Sequence, residues 1–385
     1  MVQKVEFAKR IPVGSTGRLC SRWTYVFACL IFQTCTTYFF FTVFCENWKS
    51  GTKNYQPKDS LAISVNQSMV TEISLPPEEL QSSTKSTVPL IILLWTWPHG
   101  HIFPLNQCPL SVDSSGCLFT MNRSLYFDAN AVVINHRDVS TSITNLPPMS
   151  RPPGQYWIWF NLEPPEHLRN LTMMENIFNL TMSYRSDSDI FTPYGWIEKN
   201  DGTENFTIPQ KTKLVAWVVS NWKTEQKRVK YYEQLAKYIQ IDVYGKHRMP
   251  LPRKKQFKTL SEYKFYLAFE NYIHEDYITE KLWYNAFCTA TLPIVMGPPR
   301  KNYERFIPSD SFIHVDDFSS PKEMASYLLS LDQDDQSYLQ YFSWRANYKP
   351  GEIRKTWVTE YCKVCKTIKE APPYRTFPSI FDWFK

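Results

Sequence analysis

A glutamate at the end of an aromatic run is the first residue in this sequence that could do chemistry. Glu163 ends the run YWIWFNLE, which has the composition of a buried β-strand. A carboxylate directly after such a strand is partly desolvated, which suits a general base that takes a proton from a substrate hydroxyl. A solvated loop glutamate is the alternative.

A second group of residues could bind an anion. Ser220, Asn221 and Trp222 follow a predicted strand, and Arg228 lies in the first turns of the predicted helix after them. A helix N-terminus favours anions, and an arginine there can bind a diphosphate through two hydrogen bonds. The alternative is a surface arginine that pairs with Glu225.

A third segment, from Glu270 to Lys281, has the same character. Asn271 follows Glu270, and Thr279 is predicted to be the N-cap of a helix that Glu280 and Lys281 open. Backbone amides, the helix dipole and an ammonium group would then converge on one anion.

The elements that must position these residues alternate between strand and helix. Buried strands are predicted at PLIILLWTW, AVVINHR and QYWIWFNLE, and a second set, from near Lys213, at LVAWVV, IDVYG, KFYLAF and LPIVMG. The segments TEQKRVKYYEQLAKYI and TEKLWYNAFCTA predict helices. This pattern indicates two α/β domains with parallel sheets, divided near residues 205–212. Ligands bind such sheets at the carboxyl ends of strands, where the polar residues above are found.

The N-terminal part is predicted to anchor the chain in a membrane. Residues 23–45 contain no charged side chain, and at about 1.5 Å per residue they can span a bilayer core of ~30 Å. Lysines and arginines precede them, so the positive-inside rule leaves residues 1–22 in the cytosol and the rest of the chain lumenal. A buried core helix is the alternative. Residues 46–87, rich in Ser, Thr, Lys, Gln and Pro, are predicted to form a stem.

Sequons agree with a lumenal location. They are found at Asn66, Asn122, Asn170, Asn179 and Asn205. The formal net charge is +6, but no long run of Lys and Arg occurs, so nucleic acid is not a predicted partner.

The cysteines of the lumenal part form an even set, with Cys288 left over. Cys362 and Cys365 form a CxxC without a second metal-binding half, which argues against zinc. Because an oxidising compartment favours disulfides, we expect this pair to be linked back to Cys108 and Cys117. Each such bridge would stabilise the fold by roughly 4–5 kcal/mol in the chain-entropy model.

Longer segments resemble a known family. FENYIHEDYITEKLWYNAF and PIVMGPPRKNYERFIPSDSFIHVDDF are similar to the signature of the α-1,3-fucosyltransferases, glycosyltransferase family 10. The resemblance runs from about Trp95 to the C-terminus and includes WTWP, NHRD, TNLPP, RPPGQYWIWFNLEPP, WVVSNW and the final CxxC. Within the family the chain most resembles the vertebrate enzymes of the fucosyltransferase 9 type, which form the Lewis x epitope.

The resemblance implies an architecture and an activity. The fold would be GT-B, an α/β arrangement of two Rossmann-like domains facing across a cleft. Residues 88–210 would hold the acceptor, residues 211–355 would hold GDP-fucose, and residues 356–385 would pack back on the first domain. The enzyme would transfer fucose with inversion to the GlcNAc of type 2 N-acetyllactosamine glycans, without a metal or other cofactor in the chemical step. The resemblance places it in the Golgi membrane as a single-pass type II protein, and the sequence is compatible with a homo-oligomer.

The resemblance also assigns roles to residues. Glu163 would be the general base, Arg228 and Lys281 the cations on the diphosphate, and Glu280 a neighbour of the fucose hydroxyls. The other residues in donor-contacting segments are Ser220, Asn221, Tyr277, Tyr184 and Asn271.

In the NHRD segment, the resemblance assigns His136 and Arg137 to the acceptor. Relatives that accept type 1 chains tend to carry Trp at the position of Arg137, so arginine indicates type 2 chains. The alternative is that Arg137 only pairs with Asp138 or another acid. For the disulfides the preferred pairing is Cys108–Cys362 with Cys117–Cys365.

One departure and two rival hypotheses remain. Ala290 stands where relatives have glycine, and if that position needs a positive φ, alanine would strain the donor domain by ~1 kcal/mol.

Asp187 and Asp189 form a DxD triplet, which in the other large glycosyltransferase fold, GT-A, holds Mn²⁺ and a nucleotide diphosphate. The second rival is a degenerate, Golgi-resident glycan-binding protein without activity.

Overall fold

The structure is a computed structural model that describes residues 88–100, 102–105, 107–109, 112–202, 206–351, 356–370 and 372–385. All of them belong to one compact unit. The predicted cytosolic tail, membrane anchor and stem, together with the sequons at Asn66 and Asn205, lie outside the described residues. Within the described part of the chain, no helix is long and apolar enough to cross a membrane.

The first half of the described chain forms a six-stranded parallel sheet in the order β2-β1-β3-β4-β5-β6. Its strands are β1 (Leu90–Leu94), β2 (Cys117–Thr120), β3 (Ala131–Asn135), β4 (Tyr156–Asn161), β5 (Leu180–Ser183) and β6 (Ile190–Phe191). The central strands are apolar along almost their whole length because helices and loops cover both faces of the sheet. The short strand β7 (Ile197–Lys199) leads to the second half.

The second half forms a five-stranded sheet in the order β12-β11-β10-β8-β9, also parallel throughout. Its strands are β8 (Lys213–Val218), β9 (Ile241–Tyr244), β10 (Tyr263–Phe269), β11 (Leu292–Met296) and β12 (Ile313–His314). Strand β13 (Tyr348–Pro350) then pairs antiparallel with β7 and so joins the end of the second half to the connection between the sheets.

Helices cover the sheets. The α-helices are His136–Val139, Lys227–Leu235, Arg253–Ser261, Arg300–Tyr303, Pro321–Gln333, Asp335–Gln340, Thr356–Lys369 and Ile380–Phe384, and Lys281–Phe287 is a π-helix. Short 3₁₀ turns are found at Pro98–Gly100, Arg123–Asp128, Ile143–Asn145, Pro165–His167, Leu171–Met174, Val315–Asp317 and Ser343–Ala346.

The last helices return to the first sheet. Helix Thr356–Lys369 packs Val364 and Ile368 on one face of that sheet, and helix Ile380–Phe384 packs on the other face. Cys362 and Cys365 are three positions apart on the longer helix, so both face the sheet. The structure contains the expected bridges, Cys108–Cys362 and Cys117–Cys365.

Several elements differ from the sequence-based expectation. The helix predicted over TEQKRVKYYEQLAKYI is shorter, Lys227–Leu235, because Gln226 before it has an extended backbone with ψ 138°. Helix Arg253–Ser261 was not predicted, since Leu260 is its only buried residue and the segment shows no apolar stripe. The predicted helix over TEKLWYNAFCTA has the wide turns of a π-helix and ends at Phe287.

Candidate active site

The three predicted site segments meet at the carboxyl ends of the strands. Glu163 follows β4, Ser220 follows β8, and Glu270 directly follows β10. Glu163, Ser220 and Asn271, the residue after Glu270, border a cavity of about 480 Å³ between the two sheets. The predicted residues that line it are Glu163, Ser220, Asn221, Arg228, Asn271, Tyr277, Glu280 and Lys281.

Arg228 is held at this cavity by backbone carbonyls. It is 4% exposed, and its guanidinium donates to Asn221 O at 2.6 Å and to Phe269 O at 3.5 Å. Phe269 ends β10, and Asn221 lies three residues after the end of the neighbouring strand β8, so the guanidinium is fixed where the sheet meets the cavity. Burial lowers its pKa, while the charge of Glu270 opposes that effect. The surface pairing with Glu225 is excluded by this burial.

Lys281 is fixed by a buried carboxylate. Its ammonium donates to Glu270 Oε2 at 2.9 Å and to Thr279 Oγ1 at 2.7 Å. Burial alone would lower the pKa of Lys281, but Glu270 and Glu280 raise it above its usual value, so the cation is permanent. Thr279 directly precedes Glu280, the first residue with helical backbone, and its carbonyl accepts from Leu282 N at 3.1 Å, as predicted for an N-cap. Its hydroxyl also contacts Glu270.

Glu163 lies where two cavities meet. It lines the cavity described above and also a second one of about 380 Å³, formed with His136, Arg137, His167 and Arg169 among others. Asn161 fixes its backbone, because Asn161 Oδ1 accepts from Glu163 N at 3.1 Å and Asn161 Nδ2 donates to Glu163 O at 2.7 Å. The carboxylate is 29% exposed, which is partial desolvation rather than burial.

Two side chains flank the Glu163 carboxylate. Arg137 NH1 is 3.6 Å from Oε1, and His167 Nδ1 is 3.3 Å from Oε2. Arg137 thus does pair with an acid, and that acid is the predicted base rather than Asp138, which accepts from Asn135 Nδ2 at 2.9 Å. His167 was not identified from the sequence, because it lies in a short 3₁₀ turn with no periodic pattern.

His136 lies beneath the second cavity. Its ring is fully buried, Nε2 donates to Arg169 O at 3.0 Å, and Nδ1 accepts from Trp159 Nε1 at 3.2 Å. Burial lowers the pKa of the imidazole to about 4, so the ring is neutral. A direct hydrogen bond to an acceptor would require one of these bonds to break, although His136 does border the second cavity, so its acceptor role stays a prediction.

Tyr184 lies behind the first cavity. It is fully buried, donates to or accepts from His274 Nδ1 at 2.8 Å, and packs against Tyr277 and Tyr194. Tyr184 does not line the cavity in this structure, and its contact with the donor stays a prediction. Tyr194, Gln256 and Asn285 line the cavity instead and were not singled out from the sequence.

The DxD triplet is occupied by other partners. Arg185 donates to both oxygens of Asp187, at 2.8 and 2.7 Å, and Trp383 Nε1 donates to Asp187 at 3.0 Å. Asp189 accepts from Thr181 N and its hydroxyl. Over the described ranges, no group of three His, Cys, Asp or Glu side chains is arranged to hold a metal ion.

The described sequons differ in accessibility. Asn122 and Asn170 are exposed. Asn179 is fully buried, and its amide donates to Arg375 O at 2.8 Å, so a glycan there would require the segment at Arg375 to move. The sequence did not reveal this burial, because a sequon does not show that its asparagine directly precedes a buried strand, here β5.

Two fixed cations and a carboxylate on opposite sides of one cleft are the groups that a transferase acting on a phosphorylated donor needs. A model of the glycosyltransferase family 10 (fucosyltransferase) C-terminal region matches residues 208–383, and one of the fucosyltransferase N-terminal region matches residues 87–195. The chain therefore belongs to glycosyltransferase family 10, the fucosyltransferases. It is an enzyme, and the alternative of an inactive glycan-binding protein loses its support.

Named relatives are similar over most of their length. A bovine 3-galactosyl-N-acetylglucosaminide 4-alpha-L-fucosyltransferase FUT3 is 49% identical over 321 residues, which cover 82% of this chain and 87% of the relative. A human 4-galactosyl-N-acetylglucosaminide 3-alpha-L-fucosyltransferase FUT5 is 49% identical, covering 77% and 80%. A 4-galactosyl-N-acetylglucosaminide 3-alpha-L-fucosyltransferase FUT6 from Pongo pygmaeus is 50% identical, and the match covers 77% of this chain and 83% of the relative. These names do not test the similarity to the fucosyltransferase 9 type, which stays a prediction.

Solved structures are more distant. A crystal structure of an α1,3-fucosyltransferase has a TM-score of 0.49 and 19% identity, covering 68% of this chain and 83% of that chain. A crystal structure of an α1,3-fucosyltransferase with GDP-fucose has a TM-score of 0.45 and 17% identity, and the match covers 70% of this chain and 85% of that chain.

Proposed function

We propose that this protein transfers L-fucose from GDP-fucose to the 3-hydroxyl of GlcNAc in Galβ1,4GlcNAc chains, with inversion at fucose C1. The observation that carries the proposal is the position of Glu163, which lines both cavities. Arg228 and Lys281 mark the first cavity as the donor side, and Arg137 marks the second as the acceptor side. The two parallel sheets on either side of the cleft are in keeping with a GT-B fold.

The proposed chemistry is a single displacement. Glu163 accepts the proton of the acceptor hydroxyl while that oxygen attacks fucose C1 from the side opposite GDP. The bond from C1 to the phosphate oxygen breaks, and negative charge grows on the β-phosphate. Arg228, Lys281 and backbone amides after β8 stabilise that charge, which is worth several kcal/mol, about as much as removing one such donor costs in other enzymes. General-base help contributes about 10²–10⁴-fold.

The chemical step is proposed to need no metal or other cofactor. Arg228 and Lys281 are both held by short contacts, so they can do what a divalent cation does elsewhere. The rival Mn²⁺ mechanism would need Asp187 and Asp189, whose carboxylates are already bound by Arg185, Trp383 and Thr181.

The acceptor linkage rests on Arg137. The named relatives act on either 3-galactosyl or 4-galactosyl GlcNAc, so family membership alone does not choose between type 1 and type 2 chains. Arg137 is 59% exposed at the second cavity, where a guanidinium offers donors to sugar hydroxyls and an indole would offer a flat apolar face. We therefore expect type 2 chains and a Lewis x product.

The proposed location is the Golgi membrane, with a single N-terminal anchor and the catalytic part in the lumen. The uncharged segment 23–45 and the sequons support this proposal.

One assay tests these proposals together. The purified full-length chain and its Glu163→Gln variant are incubated with GDP-fucose and either Galβ1,4GlcNAc or Galβ1,3GlcNAc, with and without EDTA. We expect α1,3 transfer to the β1,4-linked chain, unaffected by EDTA, and a variant that binds GDP but turns over about 10²-fold more slowly or worse. Loss of activity in EDTA would refute the metal-free step. Equal transfer to both acceptors, or no shift toward Galβ1,3GlcNAc in Arg137→Trp, would refute the role of Arg137.

A further inference from the structure

A chain of polar contacts crosses the cleft from the donor side to the proposed base. It runs from Tyr277 through Asn271, both on the loop after β10, to His167 and then to Glu163 on the first sheet. The residue in the middle, His167, has no role in the proposed chemistry. It is 25% exposed and lines the acceptor cavity, so it is neither an ordinary core histidine nor a surface one.

The direction of each hydrogen bond in this chain is determined by the groups at its two ends, the Tyr277 hydroxyl and the Glu163 carboxylate. Burial raises the pKa of Tyr277 well above its usual value, so its hydroxyl keeps its proton and donates to Asn271 Oδ1 at 3.0 Å. The Asn271 amide then presents its NH₂ group to the His167 ring, with Nδ2 at 3.3 Å from Nδ1 and 3.5 Å from Nε2. Nδ1 also faces Glu163 Oε2 at 3.3 Å, and because a carboxylate oxygen only accepts, this contact requires the proton on Nδ1. Nε2 is then the ring nitrogen that accepts from Asn271.

The backbone around His167 is also fixed. Pro165 opens a 3₁₀ turn in which His167 N donates to Pro164 O at 2.9 Å. Asn161 holds the backbone of Glu163 at the other end of the same short segment. The ring therefore reaches Glu163 from a defined position, and one carboxylate oxygen is engaged while Oε1 faces Arg137.

We propose that His167 is a positioning residue that couples the donor loop to the base. When Asn271 and Tyr277 are in place, His167 is held as the Nδ1-protonated tautomer, binds Oε2, and leaves Oε1 of Glu163 aimed at the acceptor hydroxyl. Orientation of a base by a third group is a general feature of such sites. This inference rests on the proposed function of Glu163, and it predicts that a donor-loop residue affects the base through His167.

A series at one position tests the geometry. His167→Ala should lower kcat of the full-length chain by about 10- to 100-fold, the size expected for a misplaced catalytic group, with KM for GDP-fucose changed less than about threefold. His167→Asn places an N–H near the position of Nδ1 and should recover most of the loss. His167→Gln, the matched control, places its N–H near Nε2 and should not. Equal kcat for the Asn and Gln variants, or an Ala variant within twofold of wild type, would overturn the proposal.

A double-mutant cycle tests the coupling. Asn271→Ala should lower kcat in the wild-type background and have little further effect on kcat in the His167→Ala background, because both act through one contact. Effects on kcat that multiply would show that the two residues act separately, which contradicts the inference.

A spectroscopic measurement separates this proposal from the proposed function. The chain has 7 histidines, and the ring ¹⁵N signals of His167 are assigned as those missing from the His167→Asn variant. They should show the Nδ1-protonated tautomer, and Asn271→Ala should change them. If the wild-type chain transfers fucose to neither acceptor, the proposed function fails while this signal still decides the role of His167. An Nε2-protonated ring would refute it.

Discussion

Arg228 and Lys281 are cations of different kinds, although both border the donor cavity. Arg228 is held by the carbonyls of Asn221 and Phe269 and by the Gln226 side chain, all of them neutral groups, so its charge is available to an anion. Lys281 is already paired with the buried Glu270, so its net effect on an anion is weaker and its position is the more rigid. A diphosphate would therefore gain more from Arg228 than from Lys281.

The first prediction follows from this difference. Arg228→Ala and Lys281→Ala should each slow transfer by about 10²-fold or more, since each removes a donor to the leaving phosphate. The loss of GDP affinity, measured by calorimetry, should be larger for Arg228→Ala. Lys227→Ala, on the exposed neighbour, is the control and should change neither quantity. Unchanged GDP affinity in both cavity variants would show that these residues do not bind the diphosphate.

Ala290 has the strained backbone that its departure from the family pattern suggested. Its φ is 53°, in the left-handed region, and Thr291 N donates to Ala286 O at 3.0 Å in the hydrogen bond that ends a helix with such a residue. An alanine in this conformation costs about 1 kcal/mol relative to glycine.

The second prediction is that Ala290→Gly stabilises the protein. The free energy of unfolding, measured in denaturant, should rise by about 1 kcal/mol. Ala286→Gly makes the same chemical change within the preceding helix turn and should lower stability by about 1 kcal/mol or more. If both variants lose stability, the strain at Ala290 is compensated elsewhere.

Sequence reasoning reached most residues of the candidate site because each follows a recognisable apolar strand. Glu163, Ser220 and Glu270 could be placed near one another from the rule that parallel strands share a carboxyl edge. His167 and Tyr194 could not, because they lie in turns whose path depends on contacts with the other half. Tyr184 and His136 were predicted to contact ligands, yet both rings are buried. The order of residues along the chain does not show whether a side chain after a strand points into the core or into the cleft.

At the scale of elements, the donor loop and the π-helix are held by the first half of the chain as well as by their own sheet. Tyr194, in the connection after β6, donates to Leu162 O beside Glu163. Its neighbour Gly195 packs against Trp283 of the π-helix so closely that an added Cβ would lie 2.3 Å from the Trp283 ring. Trp283 cannot move freely, because its Nε1 donates to Ile278 O at 2.9 Å.

The third prediction concerns this contact. Gly195→Ala should push Trp283 and the attached donor loop outward, with a loss of about 1–3 kcal/mol of stability and a weaker affinity for GDP. Gly202→Ala is the control, since its Cβ would meet open space and its positive φ costs about 1 kcal/mol without touching the cavity. A Gly195→Ala variant with wild-type GDP affinity would mean that the donor loop does not depend on the contact.

The long apolar strands were predictable, whereas the short and polar elements were not. Strands β3, β4 and β11 are buried along nearly their whole length and stand out in any apolar profile. Strand β6 has two residues, and helix Arg253–Ser261 is nearly all polar, so neither has a periodic signal of its own. Both form because their neighbours are already in place.

At the scale of the whole molecule, the chain crosses from the first sheet to the second and then returns. The return is covalent, because Cys362 and Cys365 on helix Thr356–Lys369 are bound to Cys108 and Cys117 beside the first sheet. The sequence separations are 254 and 248 residues, so each bridge closes a loop that contains the entire second sheet. In the unfolded chain these loops remove much conformational freedom.

The last prediction is that the bridges determine thermal stability more than they determine chemistry. Cys117→Ala with Cys365→Ala should lower the free energy of unfolding by roughly 4–5 kcal/mol and Tm by on the order of 10 °C. Well below the melting temperature, kcat should stay within about threefold of wild type, because Cys117 lies on the edge strand β2, with β1 and β3 between it and β4, the strand that leads to Glu163. Cys288→Ala, which removes a cysteine that forms no disulfide in the described part of the chain, is the control and should shift Tm far less. A double variant that melts normally would show that helix Thr356–Lys369 is held by its packing on the first sheet alone. One that is folded but inactive would instead show that the returning helix sets the geometry of Glu163.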